Sequence, residues 1–120
     1  MTPTRRLLLV AGMLGFAGRA WAHAFPRTTR PAAGSVLAVA PAEVVIVFSE
    51  RLEAQFSTIE VRDRADRKVT DAAAVLDAGD ARRLGLALPQ LPAGTYRVRW
   101  RAVSVDTHRT EGAYDFTIAP

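Results

Sequence analysis

The segment that decides the fold of this chain is TYRVRWRAVS, Thr95–Ser104. Large apolar residues alternate along it with arginines. The apolar residues are Tyr96, Val98 and Trp100, and the arginines are Arg97, Arg99 and Arg101. Because successive side chains of a β-strand point to opposite faces, this pattern predicts a strand with one buried face and one exposed face. We interpret the arginines as a solvated face rather than a docking surface for an acidic partner.

Four other short segments have strand character, and turn residues separate them. EVVIVFS (Glu43–Ser49) is nearly continuous in β-branched and aromatic residues, as in a strand buried on both sides. Three more segments alternate: STIEVRD (Ser57–Asp63), RLGLALP (Arg83–Pro89) and AYDFTI (Ala113–Ile118). The only segment of helical composition, Asp71–Ala78, is too short to anchor a helical layer. The sequence therefore predicts an all-β domain, a single antiparallel β-sandwich of two sheets.

The first 22 residues have the three parts of an export signal. Arg5 and Arg6 form a positive start, and the apolar run Leu7–Phe16 follows them. Ala20 and Ala22 then supply the small residues that a signal peptidase requires. The apolar run is shorter than a membrane span, and its flanking residues disfavour both a retained anchor and a buried helix of the folded domain. We therefore predict export to the periplasm, by the Sec rather than the Tat route.

The point of cleavage determines the chemistry of the mature protein. Cleavage after Ala22 removes residues 1–22 as a signal peptide and makes His23 the first residue of a domain at 23–120. Cleavage two residues earlier would leave a terminus able to bind Cu(II) through its own backbone amides, and cleavage two residues later would discard the histidine. The small-residue pair favours cleavage after Ala22.

The composition of the domain excludes one class of function. The signal carries three of the 16 basic residues and none of the 12 acidic ones, so the domain keeps 13 basic and 12 acidic side chains. With this near balance, and without a basic tract interrupted by aromatic residues, nucleic-acid binding is not supported. The chain has no cysteine, and both methionines, Met1 and Met13, lie in the signal. The domain therefore has neither disulfides nor sulfur ligands for a metal.

The domain has two histidines, and each occupies a position that suggests a metal ligand. His23 would be the mature amino terminus, where its ring and a free α-amine lie side by side. His108 closes the motif Asp106-Thr107-His108, and in an extended chain side chains two residues apart project to the same side. If the amino terminus lies beside this motif, the α-amine, two rings and the Asp106 carboxylate meet at one point.

These four donors favour a single Cu(II) ion. Nitrogen and oxygen donors in a tetragonal set suit Cu(II), whereas Cu(I) prefers sulfur. Because amine and imidazole nitrogens must lose protons to bind a metal, we expect affinity to fall as the pH drops through about 6. Taken alone, an Asp-x-His motif is more often a hydrogen-bonded turn than a metal site. The prediction therefore depends on the two histidines meeting in space.

Several segments of the domain match a known family. They are His23, RPAAGS (Arg30–Ser35), APAEVVIVFSE (Ala40–Glu50), QFS (Gln55–Ser57), LPAGTYRVRWRAVSVDTH (Leu91–His108) and EGAYDFTI (Glu111–Ile118). In these segments the chain resembles the CopC-type periplasmic copper-resistance proteins. The resemblance implies a small Greek-key β-sandwich, similar to immunoglobulin and cupredoxin folds, in which His23, Asp106 and His108 bind one Cu(II). It also implies that Glu50 lies near the site and orients an imidazole or the amine; a solvated carboxylate at a strand end is the alternative.

The resemblance further implies a function without catalytic turnover. Such a protein sequesters copper or passes it to a partner, here an inner-membrane copper transporter of the CopD type. We expect a monomer that binds copper and no small-molecule substrate. Some family members carry a methionine-rich segment that binds Cu(I), but no methionine or histidine lies between Arg64 and Arg83, which favours a single Cu(II) site.

Two other functions remain open at the level of sequence. One is a copper-dependent oxidase with an amino-terminal histidine, although a domain this small leaves little room for a substrate surface. The other is a metal-free, immunoglobulin-like interaction module. Oxygen reduction with ascorbate would identify the first, and a lack of visible absorbance on adding Cu(II) would identify the second.

Overall fold

The computed structural model describes residues 23–120, and the predicted signal peptide, residues 1–22, lies outside them. Eight strands and one short 3-10 turn, Ala54–Phe56, form the described part of the chain. The strands are β1 (Pro26–Arg30), β2 (Val36–Leu37), β3 (Glu43–Phe48), β4 (Thr58–Arg62), β5 (Val75–Asp77), β6 (Asp80–Ala87), β7 (Gly94–Val103) and β8 (Arg109–Ile118). In this part of the chain, no helix has the length and apolar character needed to cross a membrane.

The strands form two four-stranded sheets, in the orders β1-β3-β6-β5 and β2-β8-β7-β4. Consecutive strands repeatedly change sheet, which confirms the predicted all-β, Greek-key sandwich. One pairing departs from the predicted antiparallel arrangement, because β2 runs parallel to β8, with Val36 opposite Thr117. The turn before β2 is tied to β8, since the Gly34 amide donates to the Asp115 carbonyl at 2.7 Å, and this contact sets the direction in which β2 enters the sheet.

Side chains from the two sheets fill the space between them. The largest fully buried apolar side chains are those of Phe48, Phe116, Ile46, Leu84, Leu86, Val44, Val61 and Val98. Strand β3 is buried on both sides, as its continuous apolar run predicts, since Val45 on its other face is also only 6% exposed. Trp100 lies edge-on to Phe48, with ring centres 5.3 Å apart, so the alternation in β7 correctly predicts which of its residues enter the core.

Trp100 packs against β8 at a point where only glycine fits. Gly112 lies opposite Trp100 in the β7–β8 register. A Cβ atom at Gly112 would lie 2.6 Å from the indole ring, closer than side chains tolerate. The absence of a side chain at Gly112 therefore leaves room for the large ring between the sheets.

The exposed face of β7 carries the row of arginines. Arg97, Arg99 and Arg101 are all exposed. Arg97 pairs across the strand with Asp115 at 2.9 Å, and Arg101 pairs with Glu111 at 3.6 Å. Cross-strand carboxylates therefore balance most of this charge, and the arginines form the solvated face that the sequence indicates.

The segment with helical composition contains a strand instead. Residues 75–77 of Asp71–Ala78 form β5, which pairs with β6 at the edge of its sheet. Three residues are too few for a helix, and pairing with a neighbouring strand satisfies their backbone groups. The alanines before β5 leave the chain irregular there, so no helical layer forms in the described residues.

Candidate metal centre

The motif Asp106-Thr107-His108 lies in the turn that joins β7 to β8. The Ser104 amide donates to the His108 carbonyl at 3.0 Å, and the Thr107 amide donates to the Ser104 carbonyl at 2.8 Å. Thr107 adopts a left-handed backbone conformation, with φ of 73°. This corrects the prediction of an extended motif, because a tight turn rather than strand alternation directs these side chains.

The turn nevertheless brings the two predicted ligands together. Oδ1 of Asp106 lies 3.2 Å from Nδ1 of His108. The Ser104 hydroxyl also donates a hydrogen bond to Oδ1 of Asp106. The Ser104 hydroxyl, and after it the His108 ring, hold the pKa of the Asp106 carboxyl below its usual range. Asp106 is therefore kept as a carboxylate, the form that binds a metal.

Two hydroxyl groups hold the amino-terminal segment against the sandwich. The Ser49 hydroxyl accepts from the Phe25 amide at 2.9 Å and donates to the His23 carbonyl at 3.1 Å. The Thr110 hydroxyl donates to the Ala24 carbonyl at 2.6 Å, and Ala24 itself is fully buried. Chain termini are usually poorly ordered unless such contacts fix them. His23 is thus held next to the β7–β8 turn, although 85 positions separate it from His108 in the chain.

The rings of the two histidines meet edge to face. Their centres are 5.3 Å apart and their planes meet at 75°. Nδ1 of His23 is buried and has no hydrogen-bond partner among residues 23–120. A buried polar atom without a partner is costly, and sites that bind an ion often explain one. Nδ1 is also the ring nitrogen nearer the backbone, and so the one that can bind an ion together with the α-amine of the same residue.

Glu50 lies immediately after Ser49, at the end of β3, and is half-buried. It takes part in none of the ion pairs that residues 23–120 form with one another. Its location near the segment that holds His23 fits the expected position, and its role in orienting a ligand stays a prediction.

Within residues 23–120, no three histidine or carboxylate side chains form a complete metal-binding group. The described side chains supply two neighbouring rings and one carboxylate beside the second ring. The remaining predicted donor, the α-amine of His23, exists only after cleavage of the peptide bond to Ala22. The participation of this amine stays a prediction.

The sequence did not point to the hydroxyl groups that position these residues. Ser49, Ser104 and Thr110 all lie in or beside the segments that carry the family resemblance. Serine and threonine are common in turns and at strand ends, so composition gave no reason to choose them. Only the fold shows which of these hydroxyls face the amino terminus or Asp106.

Comparison with known proteins gives a consistent result. The family described as the CopC domain matches residues 27–119. Copper resistance protein C of Escherichia coli is 35% identical over 98% of this chain and 99% of its own length. The crystal structure of CopC from Methylosinus trichosporium OB3b covers 82% of this chain and 95% of its own, with a TM-score of 0.78 and 34% identity.

A second solved structure is similar to this chain but differs in its methionine content. PcoC from Escherichia coli, described as a methionine-rich copper resistance protein, aligns with a TM-score of 0.71 and 36% identity. The alignment covers 81% of this chain and 99% of that one. Residues 23–120 of this chain contain no methionine at all.

Proposed function

This chain belongs to the CopC domain family, and we propose that it is a periplasmic carrier that holds one Cu(II) ion between its mature amino terminus and the β7–β8 turn. The assigned ligands are the α-amine and ring of His23, the carboxylate of Asp106 and the ring of His108. Copper appears in the names of two of these relatives, both from Escherichia coli, and copper binding is the coarser property that the family supports.

The pair of histidine rings is the observation that carries this proposal. Metal ions bind imidazole nitrogens at about 2.0–2.1 Å, so rings whose centres are 5.3 Å apart can share one ion. The buried, unpartnered Nδ1 of His23 gains a ligand in this arrangement, which supports its assignment. Asp106 is held as a carboxylate next to the second ring, and so adds an anionic oxygen.

The donor set supports copper in its oxidised state. Nitrogen and oxygen ligands suit Cu(II), which also has the highest affinity in the divalent series. Cu(I) prefers thiolate or thioether sulfur, and residues 23–120 contain neither cysteine nor methionine. We therefore assign one Cu(II) ion and no second site for Cu(I).

The protein acts by coordination, without turnover. Loading displaces protons from the amine and imidazoles, and a receiving protein that offers stronger donors withdraws the ion. The proposed receiver is an inner-membrane copper transporter of the CopD type, and the carrier itself is a monomer in the periplasm. The exposed turn at one end of the sandwich gives such a receiver direct access to the ligands.

The decisive experiment uses the exported protein after intact-mass analysis of its amino terminus. We expect a chain that starts at His23 and binds one equivalent of Cu(II), with a visible absorption band. The matched control is the same chain with an acetylated α-amine, which should bind at least about tenfold more weakly because one donor is lost. An authentic terminus elsewhere, or equal affinity after acetylation, would overturn the proposed site.

The same sample separates the alternative functions. A carrier should consume almost no oxygen with ascorbate, whereas an oxidase would turn over repeatedly. Absence of any stoichiometric Cu(II) binding would instead favour a metal-free interaction module.

A further inference from the structure

We propose that Ser104 is a positioning residue of the copper site, which holds the carboxylate of the ligand Asp106 in one orientation. This inference rests on the proposed Cu(II) site and adds to it a residue that does not touch the metal.

The position of Ser104 is unusually well fixed for a turn residue. Its side chain is only 1% exposed. Its backbone amide and carbonyl both bond within the turn, and it pairs with Leu52 of the neighbouring loop in an isolated β-bridge. The hydroxyl therefore has little freedom, and any group bonded to it acquires a fixed direction.

Asp106, in contrast, is exposed and needs such a fixed partner. Its side chain is 47% exposed, so solvent alone would leave the carboxylate free to rotate. The Ser104 hydroxyl and Nδ1 of His108 both face the same oxygen, Oδ1. Because both contacts act on one oxygen, they restrict the rotation of the whole carboxylate. Partners that orient a ligand in this way commonly determine much of a site's affinity.

The contact also links the two ligands of the turn. Because Oδ1 of Asp106 lies 3.2 Å from Nδ1 of His108, a change in the carboxylate's direction alters the surroundings of that ring. Ser104 thus influences two ligands, and its hydroxyl also lies 3.4 Å from the backbone carbonyl of His108. A buried serine with no such contact would influence neither.

Ser57 provides a matched control for this argument. It is the other buried serine of the domain, 3% exposed, and it contacts the same end of β7. Its hydroxyl accepts from the Val103 amide at 3.1 Å and donates to the Val103 carbonyl at 3.4 Å. It bonds to backbone only, one residue away from Ser104, and contacts no proposed ligand.

The experiment compares Ser104→Ala with Ser57→Ala in chains that begin at His23. Cu(II) is titrated alone, and the bound ion is examined by visible absorption and electron paramagnetic resonance. We expect Ser104→Ala to weaken affinity by about tenfold or more and to change both spectra. Ser57→Ala should lower the free energy of unfolding but keep the wild-type Cu(II) affinity and spectra. Equal behaviour of the two variants would overturn the inference.

A double substitution tests whether Ser104 acts through Asp106. In an Asp106→Ala background, Ser104→Ala should cause no further loss of affinity, because the oriented group is already absent. The same loss in both backgrounds would show a general structural effect and would refute the positioning role. If Ser104→Ala fails to fold, Ser104→Thr and Ser104→Val form an alternative pair of equal size. Only Ser104→Thr, which keeps a hydroxyl, should keep the wild-type spectra. Identical spectra for the two variants would count against the proposal.

The outcomes separate this inference from the proposed function. If the wild-type chain beginning at His23 fails to bind Cu(II), the proposed site itself is wrong. If it binds Cu(II) and Ser104→Ala binds it equally well with unchanged spectra, the site stands and only the role of Ser104 is refuted.

Discussion

Two turns at opposite ends of the sandwich have the same backbone geometry and different chemistry. In Asp63–Arg67 and in Ser104–His108, the first amide donates to the fifth carbonyl, at 2.9 and 3.0 Å. In both, the fourth amide donates to the first carbonyl, at 3.0 and 2.8 Å. The fourth residue is left-handed in each, Asp66 with φ of 61° and Thr107 with φ of 73°. Each is a hairpin loop of the kind in which glycine commonly takes this position.

The difference lies in where each turn directs its carboxylate. Asp63, at the first position, uses Oδ1 to accept from the amides of Ala65 and Arg67, at 2.9 and 3.0 Å. The Arg67 guanidinium lies 3.5 Å from its other oxygen. In the second turn the first position is Ser104, and the carboxylate at the third position faces a hydroxyl and an imidazole. The same backbone therefore gives a self-satisfied turn at one end and a candidate metal centre at the other.

The largest expected effect comes from replacing the last residue of the Ser104–His108 turn. His108→Ala should weaken Cu(II) binding by more than about a hundredfold, beyond the loss caused by removing an outer partner of a ligand. Arg67→Ala, at the equivalent position, should leave affinity unchanged. Titration of both chains, each beginning at His23, measures the contrast. Unaltered affinity in His108→Ala would rule out the proposed donor set.

The two carboxylates should show opposite effects on affinity and on stability. Asp106→Ala should reduce Cu(II) affinity by about tenfold or more. It should have little effect on urea unfolding of the metal-free protein, because the Ser104 hydroxyl keeps the His108 carbonyl, 3.4 Å away, as an acceptor. Asp63→Ala should destabilise the fold, because the amides of Ala65 and Arg67 lose their acceptor, and should leave affinity unchanged. If both variants lose the same property, the two turns do not have separate roles.

The sequence predicted the strands best where alternation and burial agree. The segment Thr95–Ser104 corresponds to β7 within one residue at each end. Strands β1 and β2 were missed, since PRTTR contains no apolar alternation and β2 is only two residues long. Both are held by backbone pairing with neighbours distant in sequence, and local patterns do not record such pairing.

The proximity of the candidate ligands was predicted, but the local geometry that produces it was predicted wrongly. Asp106 and His108 do lie together, but a left-handed turn at Thr107 brings them together rather than an extended strand. The approach of His23 to His108 depends on Ser49 and Thr110, which bond to the carbonyls of His23 and Ala24. Tertiary contacts of this kind cannot be read from residue spacing.

A smaller effect distinguishes the left-handed residues of the two turns. A left-handed conformation costs a non-glycine residue about 1–2 kcal/mol, and least for asparagine and aspartate. Thr107 is β-branched, so Thr107→Gly should relieve this cost. Because glycine also has more conformational freedom in the unfolded chain, the net gain in the free energy of unfolding should be at most about 1 kcal/mol. Asp66→Gly should give no such gain. Urea unfolding of the metal-free proteins measures both, and a larger gain at Asp66 would contradict this explanation of the turns.

The smallest expected effect is the contribution of Asp63 to the acid stability of the protein. Hydrogen bonds from the backbone amide of Arg67, and then of Ala65, lower the pKa of the Asp63 carboxyl in the folded protein. Its contribution is therefore present above its ordinary pKa, near 4, and is lost as the pH falls further. Asp63→Asn keeps an oxygen acceptor but cannot titrate, so its stability should decline less steeply below about pH 4 than that of the wild type. The control is Asp71→Asn, which changes an exposed carboxylate outside both turns. If the free energy of unfolding of the two variants falls equally steeply with decreasing pH, the amide contacts of Asp63 do not favour its charged form.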